Sequence, residues 1–261
     1  MGRTERFPDG TNWPPARWRG MGPLPQPPAL DRSASLFLDL DGTLVEFAGR
    51  PDAIEVDDAL RKLIEQVAIR LDGRLAVISG RSLDDLTDHL GLPELPASGS
   101  HGLERRSASG KSGPGEPGSE VAAAIAEAKA FAESEELVFE AKPLGIAVHF
   151  RERPEAGPGV IRALQAIANT HGMMMQPGAM VGELRLPGPN KGDVLRLFMA
   201  ERPFAFGRPV MVGDDLTDEA AFEAVNSLGG TSVLVGPARE TNARFGLESV
   251  SDVHCWLKEL V

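Results

Sequence analysis

Two aspartates stand two residues apart at the end of an apolar run, Leu36-Phe37-Leu38-Asp39-Leu40-Asp41-Gly42-Thr43-Leu44. Read as a strand over Leu36–Leu40, the alternation of side chains sends both carboxylates to one face. Like charges at one strand end repel unless a cation sits between them, and a hard divalent cation with oxygen ligands suits that role. Two further apolar runs end in polar signatures: Arg74–Ile78 leads into Ser79-Gly80-Arg81, and Pro209–Val212 into Gly213-Asp214-Asp215. Asp-x-Asp-Gly also opens calcium loops. Here Leu44 takes the place of that loop's turn glycine and Arg50 that of its bidentate glutamate, which excludes the calcium reading.

The chemistry these signatures point to is phosphoryl transfer. Asp39 reads as the nucleophile, forming an aspartyl-phosphate. A carboxylate attacking a phosphate monoester meets charge repulsion. A magnesium ion held by Asp39, the main-chain carbonyl of Asp41 and Asp214 would offset it. Thr43, Ser79 with its neighbour Gly80, and the amides of the Gly42 turn can hydrogen-bond phosphate oxygens. Lys191, at a helix start, adds a compact positive charge. Asp41 is placed to protonate the leaving alkoxide and then to deprotonate the attacking water. Asp215 and Asp218 are supporting candidates, either ligating through water or holding Lys191.

These residues are far apart in the chain, so a fold must gather them. Leu60, Leu63, Ile64, Val67 and Leu71 recur at helical spacing after Asp57 and Asp58, either of which can cap. Ser82 with Asp85 opens a second helix that Gly91 ends. The β–α–β–α order predicts a doubly wound, Rossmann-like parallel sheet, with ligands outside the carboxyl ends of its strands. From the turn-rich stretch Ser107–Ser119 the pattern changes. An Ala-rich helix near 120–133, strands near 137–142 and 145–151, a helix near 158–171 and strands near 173–176 and 180–186 predict an antiparallel α+β module. The α/β pattern resumes at Asn190, with Thr217 expected to cap a helix through Val225, a strand at Thr231–Val235 and a last helix near 251–260. The fold class is therefore α/β, with a doubly wound parallel core at 33–106 and 190–261 and an inserted α+β cap domain at 107–189.

The first 32 residues hold seven prolines and no periodicity, and read as a loosely ordered extension in which Trp13 and Trp18 could dock elsewhere. The formal net charge of −11 disfavours nucleic acid and anionic membranes as partners. No apolar run approaches the roughly 18 residues of a membrane span. A single cysteine, Cys255, excludes an intrachain disulfide and suggests a reducing, cytoplasmic setting; on the last helix it is expected to be a small buried hydrophobe. Met173–Met175 is expected to fill core.

The motifs resemble the haloacid dehalogenase superfamily of aspartate-nucleophile phosphatases at Asp39-Leu40-Asp41-Gly42-Thr43, Ser79, Lys191 and Gly213-Asp214-Asp215-Leu216-Thr217-Asp218. The runs Ile78-Ser79-Gly80-Arg81-Ser82, Gly99-Ser100-His101-Gly102, Glu140-Ala141-Lys142, His149-Phe150-Arg151 and Gly213-Asp214-Asp215-Leu216-Thr217-Asp218-Glu219 narrow the resemblance to the trehalose-6-phosphate phosphatase family, over about residues 36–260. That resemblance implies magnesium-dependent hydrolysis of trehalose 6-phosphate, a mobile cap, and a functional link to a trehalose-phosphate synthase. It also implies that Glu140, Lys142, Arg151 and Glu183 contact the sugar from the cap while Arg81 and His101 line the site from the core. Ala179 stands where family members often have a basic residue, which leaves open weaker binding, a substitute contact such as Arg185 or a related sugar phosphate. The alternatives are a phosphatase of sucrose phosphate or a glycosylglycerate phosphate, and a non-catalytic sugar-phosphate sensor.

Overall fold

Five strands with few polar side chains need cover on both faces, and the fold supplies it. A computed structural model describes residues 22–46, 54, 56–107, 110–112, 119–142, 145–178 and 180–261. Trp13, Trp18, Pro143, Leu144 and Ala179 lie outside them. Strand β1 (Ala34–Leu38) is buried along its length. Helix α1 (Asp58–Arg70) follows, capped by Asp57, whose side chain accepts from Leu60 N at 2.7 Å. Then come β2 (Leu75–Ile78), α2 (Leu83–Leu90) and β3 (Ala97–Gly99). Strands β4 (Glu104–Ser107) and β5 (Gly110–Ser112) turn back antiparallel.

The cap is α3 (Ser119–Ser134), β6 (Val138–Lys142), β7 (Gly145–His149), α4 (Gly157–His171), β8 (Met174–Gly178) and β9 (Val181–Arg185). The chain then returns with α5 (Lys191–Met199), β10 (Arg208–Gly213), α6 (Glu219–Ser227), β11 (Thr231–Val235), β12 (Phe245–Leu247) and α7 (Val250–Lys258).

The larger sheet has the order β12-β11-β10-β1-β2-β3-β4-β5, parallel from β12 to β3. One face carries Leu36, Leu38, Val77, Val210 and Val212 against α1, α2 and α7. The other carries Phe37, Ala76, Ile78 and Met211 against α5 and α6, with Phe37 stacked on Phe204 at 5.4 Å. The cap's four strands run β6-β7-β9-β8, all antiparallel. Ile146, Val148 and Leu184 on one face of that sheet pack on α3 and α4 through Ala124, Ala128, Ala132, Val160 and Leu164. The small alanines let α3 lie close.

Several details differ from the sequence expectations. Strand β1 stops at Leu38, so alternation does not govern Asp41, which instead forms a short bridge with Val45 around Gly42 at φ 74°. The turn-rich stretch after Ser107 contributes β5 to the larger sheet. Asp215, not Thr217, caps the segment after β10: a 3-10 turn, Leu216–Asp218, intervenes before α6. Cys255 is exposed, because α7 buries Val250, Val253, Trp256 and Leu257 on the opposite face. Met173 is buried but Met174 is exposed on the cap strand. Residues 22–32 are docked: Leu24 and Leu30 are buried, Gly246 N donates to Pro25 O at 2.9 Å, and Trp256 Nε1 donates to Pro28 O at 2.9 Å. That segment covers the β12 edge, which would otherwise stand open.

Candidate active site

Chain order reverses between β1 and β10, which are neighbours although α1 to α5 separate them in sequence. At such a switch point, crossovers on either side leave a crevice outside the strand ends. Asp39 directly follows β1, Ser79 follows β2, and Asp214 follows β10. Lys191 reaches the crevice from the first residue of α5. That helix start is held by a reciprocal cap: Asn190 Oδ1 accepts from Gly192 N (2.9 Å) and Asp193 N (3.0 Å), and Asp193 accepts from Asn190 N (3.1 Å).

The charged centre is compact and buried. Lys191 Nζ lies 3.0 Å from Asp39 Oδ2 and 2.6 Å from Asp218 Oδ1, and Lys191 and Asp218 are 2% and 0% exposed. Asp218 Oδ2 also accepts from Asp214 N (3.0 Å) and Asp215 N (3.1 Å). Gly213 permits this approach, since a Cβ there would sit 2.4 Å from Asp218 Cγ. Asp39 Oδ1 accepts from Leu40 N at 2.8 Å.

Burial pushes the Asp39 carboxyl up to about 8; Lys191 opposes the rise, while Asp218 and Asp41 add to it. Burial, then Asp39 and Asp218, push Asp214 up to about 9. Burial works to lower the Lys191 ammonium, but Asp218 and Asp39 outweigh it and the net direction is up. Two carboxyls held this far up are a poor nucleophile and a poor ligand unless a further positive charge joins them. The residues fit a hard cation: one carboxylate oxygen from each of Asp39, Asp214 and Asp218 lies within 4.8 Å of the others, and Asp214 Oδ1 is buried with no hydrogen-bond partner. Asp218 is already engaged by Lys191 and two amides, which leaves Asp39 and Asp214 as the carboxylates available to such an ion.

Around this centre the other core candidates take distinct positions. The buried Thr43 Oγ1 also has no partner, and Ser79 Oγ, 1% exposed as a residue, accepts from Arg81 N at 3.2 Å. Gly80 follows in the same turn. Arg81 grips Asp41 with two hydrogen bonds, Nε to Oδ2 and Nη2 to Oδ1, both 2.7 Å, and reaches Asp85 Oδ2 at 2.9 Å. Asp215 accepts from Leu216 N at 2.6 Å and lies at the rim. The backbone of His101 lies in the 3-10 turn Ser100–Gly102; its side chain is outside the described part.

The cap candidates share one sheet face. Register aligns Glu140 with Ala147, Glu183 and Gln176, and Lys142 with Gly145, Arg185 and Met174. Only the small Ala147 and Gly145 stand on β7 between the charged residues of β6 and β9. Glu140 Oε2 meets His149 Nε2 at 2.8 Å, and Lys142 pairs with Glu183. A pocket between the two units is lined by Gly80 and Ser100 from the core and Lys142, Gly145, Glu183 and Arg185 from the cap. Arg151 is not brought to this face by the sheet; it is exposed on the turn after β7. The buried Arg185 donates from Nε to Gln176 Oε1 at 3.0 Å.

Sequence reasoning did not single out Glu104, whose carboxylate accepts from Ser100 Oγ at 2.7 Å and Leu83 N at 3.3 Å, or Arg239, which pairs with Glu219 behind the Asp214 loop. Glu104 starts β4 and Arg239 lies between β11 and β12, and neither has a spacing signature; only their partners mark them.

A family model described as trehalose-phosphatase matches residues 37–251. The chain belongs to the trehalose-phosphatase family. It is 38% identical over 242 residues to the trehalose-6-phosphate phosphatase of Escherichia coli K12, covering 90% of both chains. Among solved structures, a trehalose-6-phosphate phosphatase related protein superposes with a TM-score of 0.71 at 27% identity, covering 87% of this chain and 96% of that one. The C-terminal domain of the Candida albicans trehalose-6-phosphate phosphatase shares the fold, with a TM-score of 0.77 at 21% identity over 92% of this chain and 99% of that domain. Like its relatives, this trehalose-phosphatase family member carries a capped α/β phosphatase architecture. Among the described residues no helix is long and apolar enough to cross a membrane.

Proposed function

We propose that this chain is a magnesium-dependent phosphomonoesterase that hydrolyses trehalose 6-phosphate to trehalose and phosphate. The observation that carries the reading is the buried Asp39–Lys191–Asp218 assembly beside the unpartnered Asp214 Oδ1, at the sheet's switch point in a chain of this family. Asp39 attacks phosphorus, the phosphate ester bond breaks, and an aspartyl-phosphate forms on Asp39. Magnesium, when bound by Asp39, Asp214 and the Asp41 carbonyl, supplies positive charge against the phosphate and the nucleophile. Lys191 adds a fixed charge to the same oxygens, and Thr43, Ser79 and the Gly80 turn orient them.

Asp41 hands its proton to the departing sugar alkoxide and then takes one from the water that cleaves the acyl phosphate. With both Asp41 oxygens accepting from Arg81, proton donation requires that Arg81 release it. Arg81 turning to the substrate would do this, so that ligand binding arms the acid. Glu140, Lys142 and Glu183 bind sugar hydroxyls from the cap, with His101 and Arg151 contributing from the core turn and the rim. We place the enzyme in the cytoplasm, where its exposed single thiol at Cys255 stays reduced, downstream of a trehalose-phosphate synthase.

The test is phosphate release by the purified full chain from trehalose 6-phosphate, sucrose phosphate, a glycosylglycerate phosphate and glucose 6-phosphate, with and without EDTA. Expected is EDTA-sensitive release with kcat/KM for trehalose 6-phosphate at least about tenfold above the others, a margin of about 1.4 kcal/mol. Equal or faster turnover of another sugar phosphate overturns the substrate assignment; no release at all overturns the enzymatic one.

A further inference from the structure

We infer that Arg239 is a positioning residue that sets the direction of the Asp214 carboxylate by clamping the backbone behind it. The inference rests on the reading of Asp214 as a metal ligand. Asp214 and Asp215 form a loop between β10 and the 3-10 turn at Leu216–Asp218, with no sheet or helix ladder of its own. Its peptide groups are held from two sides. Asp218 Oδ2 accepts from the two amides, and Arg239 Nη2 donates to the two carbonyl oxygens, at 3.1 Å to Asp214 O and 2.9 Å to Asp215 O.

Arg239 stands in the loop between β11 and β12, so the clamp comes from a different strand connection. Its guanidinium is fixed in turn: Nη1 donates to the Glu219 carboxylate and, at 3.1 Å, to Glu240 O. Glu219 is anchored by Thr241 Oγ1 (2.8 Å) and Asn242 N (2.7 Å). A charged donor shared between two carbonyls fixes both peptide planes, and those planes set where the Asp214 Cα–Cβ bond points. Asp214 Oδ1 has no partner to hold it, so backbone placement decides whether it meets Asp39 within ligand range. Partners behind metal ligands are commonly worth ~10–100-fold in metal affinity.

The experiment compares wild type, Arg239→Gln and Arg239→Lys as full chains. It measures the Mg2+ concentration giving half the thermal stabilisation, Mn2+ affinity by calorimetry, and kcat and KM for trehalose 6-phosphate at saturating Mg2+. The expected result is metal affinity about tenfold weaker in Arg239→Gln, a smaller loss in Arg239→Lys, and KM within about twofold of wild type. Unchanged metal affinity with a lowered melting temperature would make Arg239 a structural brace and overturn the inference. Should Arg239→Gln not fold, Arg239→Lys, which keeps the charge and a donor, carries the same test with the same outcomes. A wild-type protein that neither binds nor responds to Mg2+ removes the reading of Asp214 itself. A wild type that responds, with variants that respond identically, removes only the role of Arg239.

Discussion

The core crevice and the cap face both pair acids with bases, but they hold them differently. In the crevice, Lys191 is 2% exposed between Asp39 and Asp218, and each partner is fixed again by backbone amides or a helix cap. On the cap, Glu140–His149 joins adjacent strands and Lys142 reaches across β7 to Glu183, with these side chains 12–29% exposed. A deeply buried charge network cannot relax when one member goes, because each remaining ion keeps its desolvation cost. A half-buried pair can open and let water or a hydroxyl take the partner's place. Chemistry is therefore built where geometry is over-determined, and recognition where pairs are exchangeable.

That contrast breaks most visibly at Asp39. Asp39→Asn keeps the shape, removes the nucleophile, and is expected to lower kcat by at least ~10³-fold; loss of less than tenfold, measured by phosphate release, would move the nucleophile elsewhere. The cap should respond in binding. Glu183→Gln removes the charge opposite Lys142 while keeping the side chain's shape, and KM for trehalose 6-phosphate is expected to rise roughly 10–100-fold, the worth of a hydrogen bond to a charged group. Turnover of a small aryl phosphate, which carries no sugar for the cap face to bind, should change by less than about twofold; an equal loss on both substrates would deny the division of labour.

The mildest effect is on pH. The carboxyls of Asp39 and Asp214 sit near 8 and 9 in the folded protein, against 3.8 unfolded. The native state then binds more protons, so the stability these two groups contribute without metal is fully present below about pH 4 and is lost as pH rises through about 8 and 9. Mg2+ replaces those protons, and its stabilising effect is expected to be larger at pH 8 than at pH 5. Melting temperatures with Mg2+ and with EDTA at both pH values check this; equal shifts would mean the cation is not bound by these groups. Glu140 moves the other way. Burial raises its carboxyl, but His149 and Lys142 outweigh burial and hold it below the usual range, so the cap pair loses stability as pH falls.

Much of this was written in local pattern. The apolar runs before Asp39, Ser79 and Asp214 made the strands legible, helical spacing after Asp57 made α1, and the shift to α-β-β-α-β-β marked the cap, because each signal lies within a window that a single element spans. What local pattern could not say is which groups meet. The strand stops at Leu38, so the two aspartates part: Asp39 goes to Lys191 and Asp41 to Arg81, forty positions on. Asp218 holds Lys191 only because Gly213 has no Cβ in its way. The prolines of residues 22–28 suggested a loose tail, yet Leu24 and Leu30 find apolar surface that exists only once β12 and α7 are in place. Arg239, with no motif around it, donates to the Asp214 and Asp215 carbonyls from a loop that the sheet order brings alongside. Residue types and spacing determined the kind of chemistry and the elements that carry it. The fold alone decided the pairing of charges, because ion pairs and hydrogen bonds depend on distances that strand order and close glycine contacts set, and neither leaves a period in the sequence.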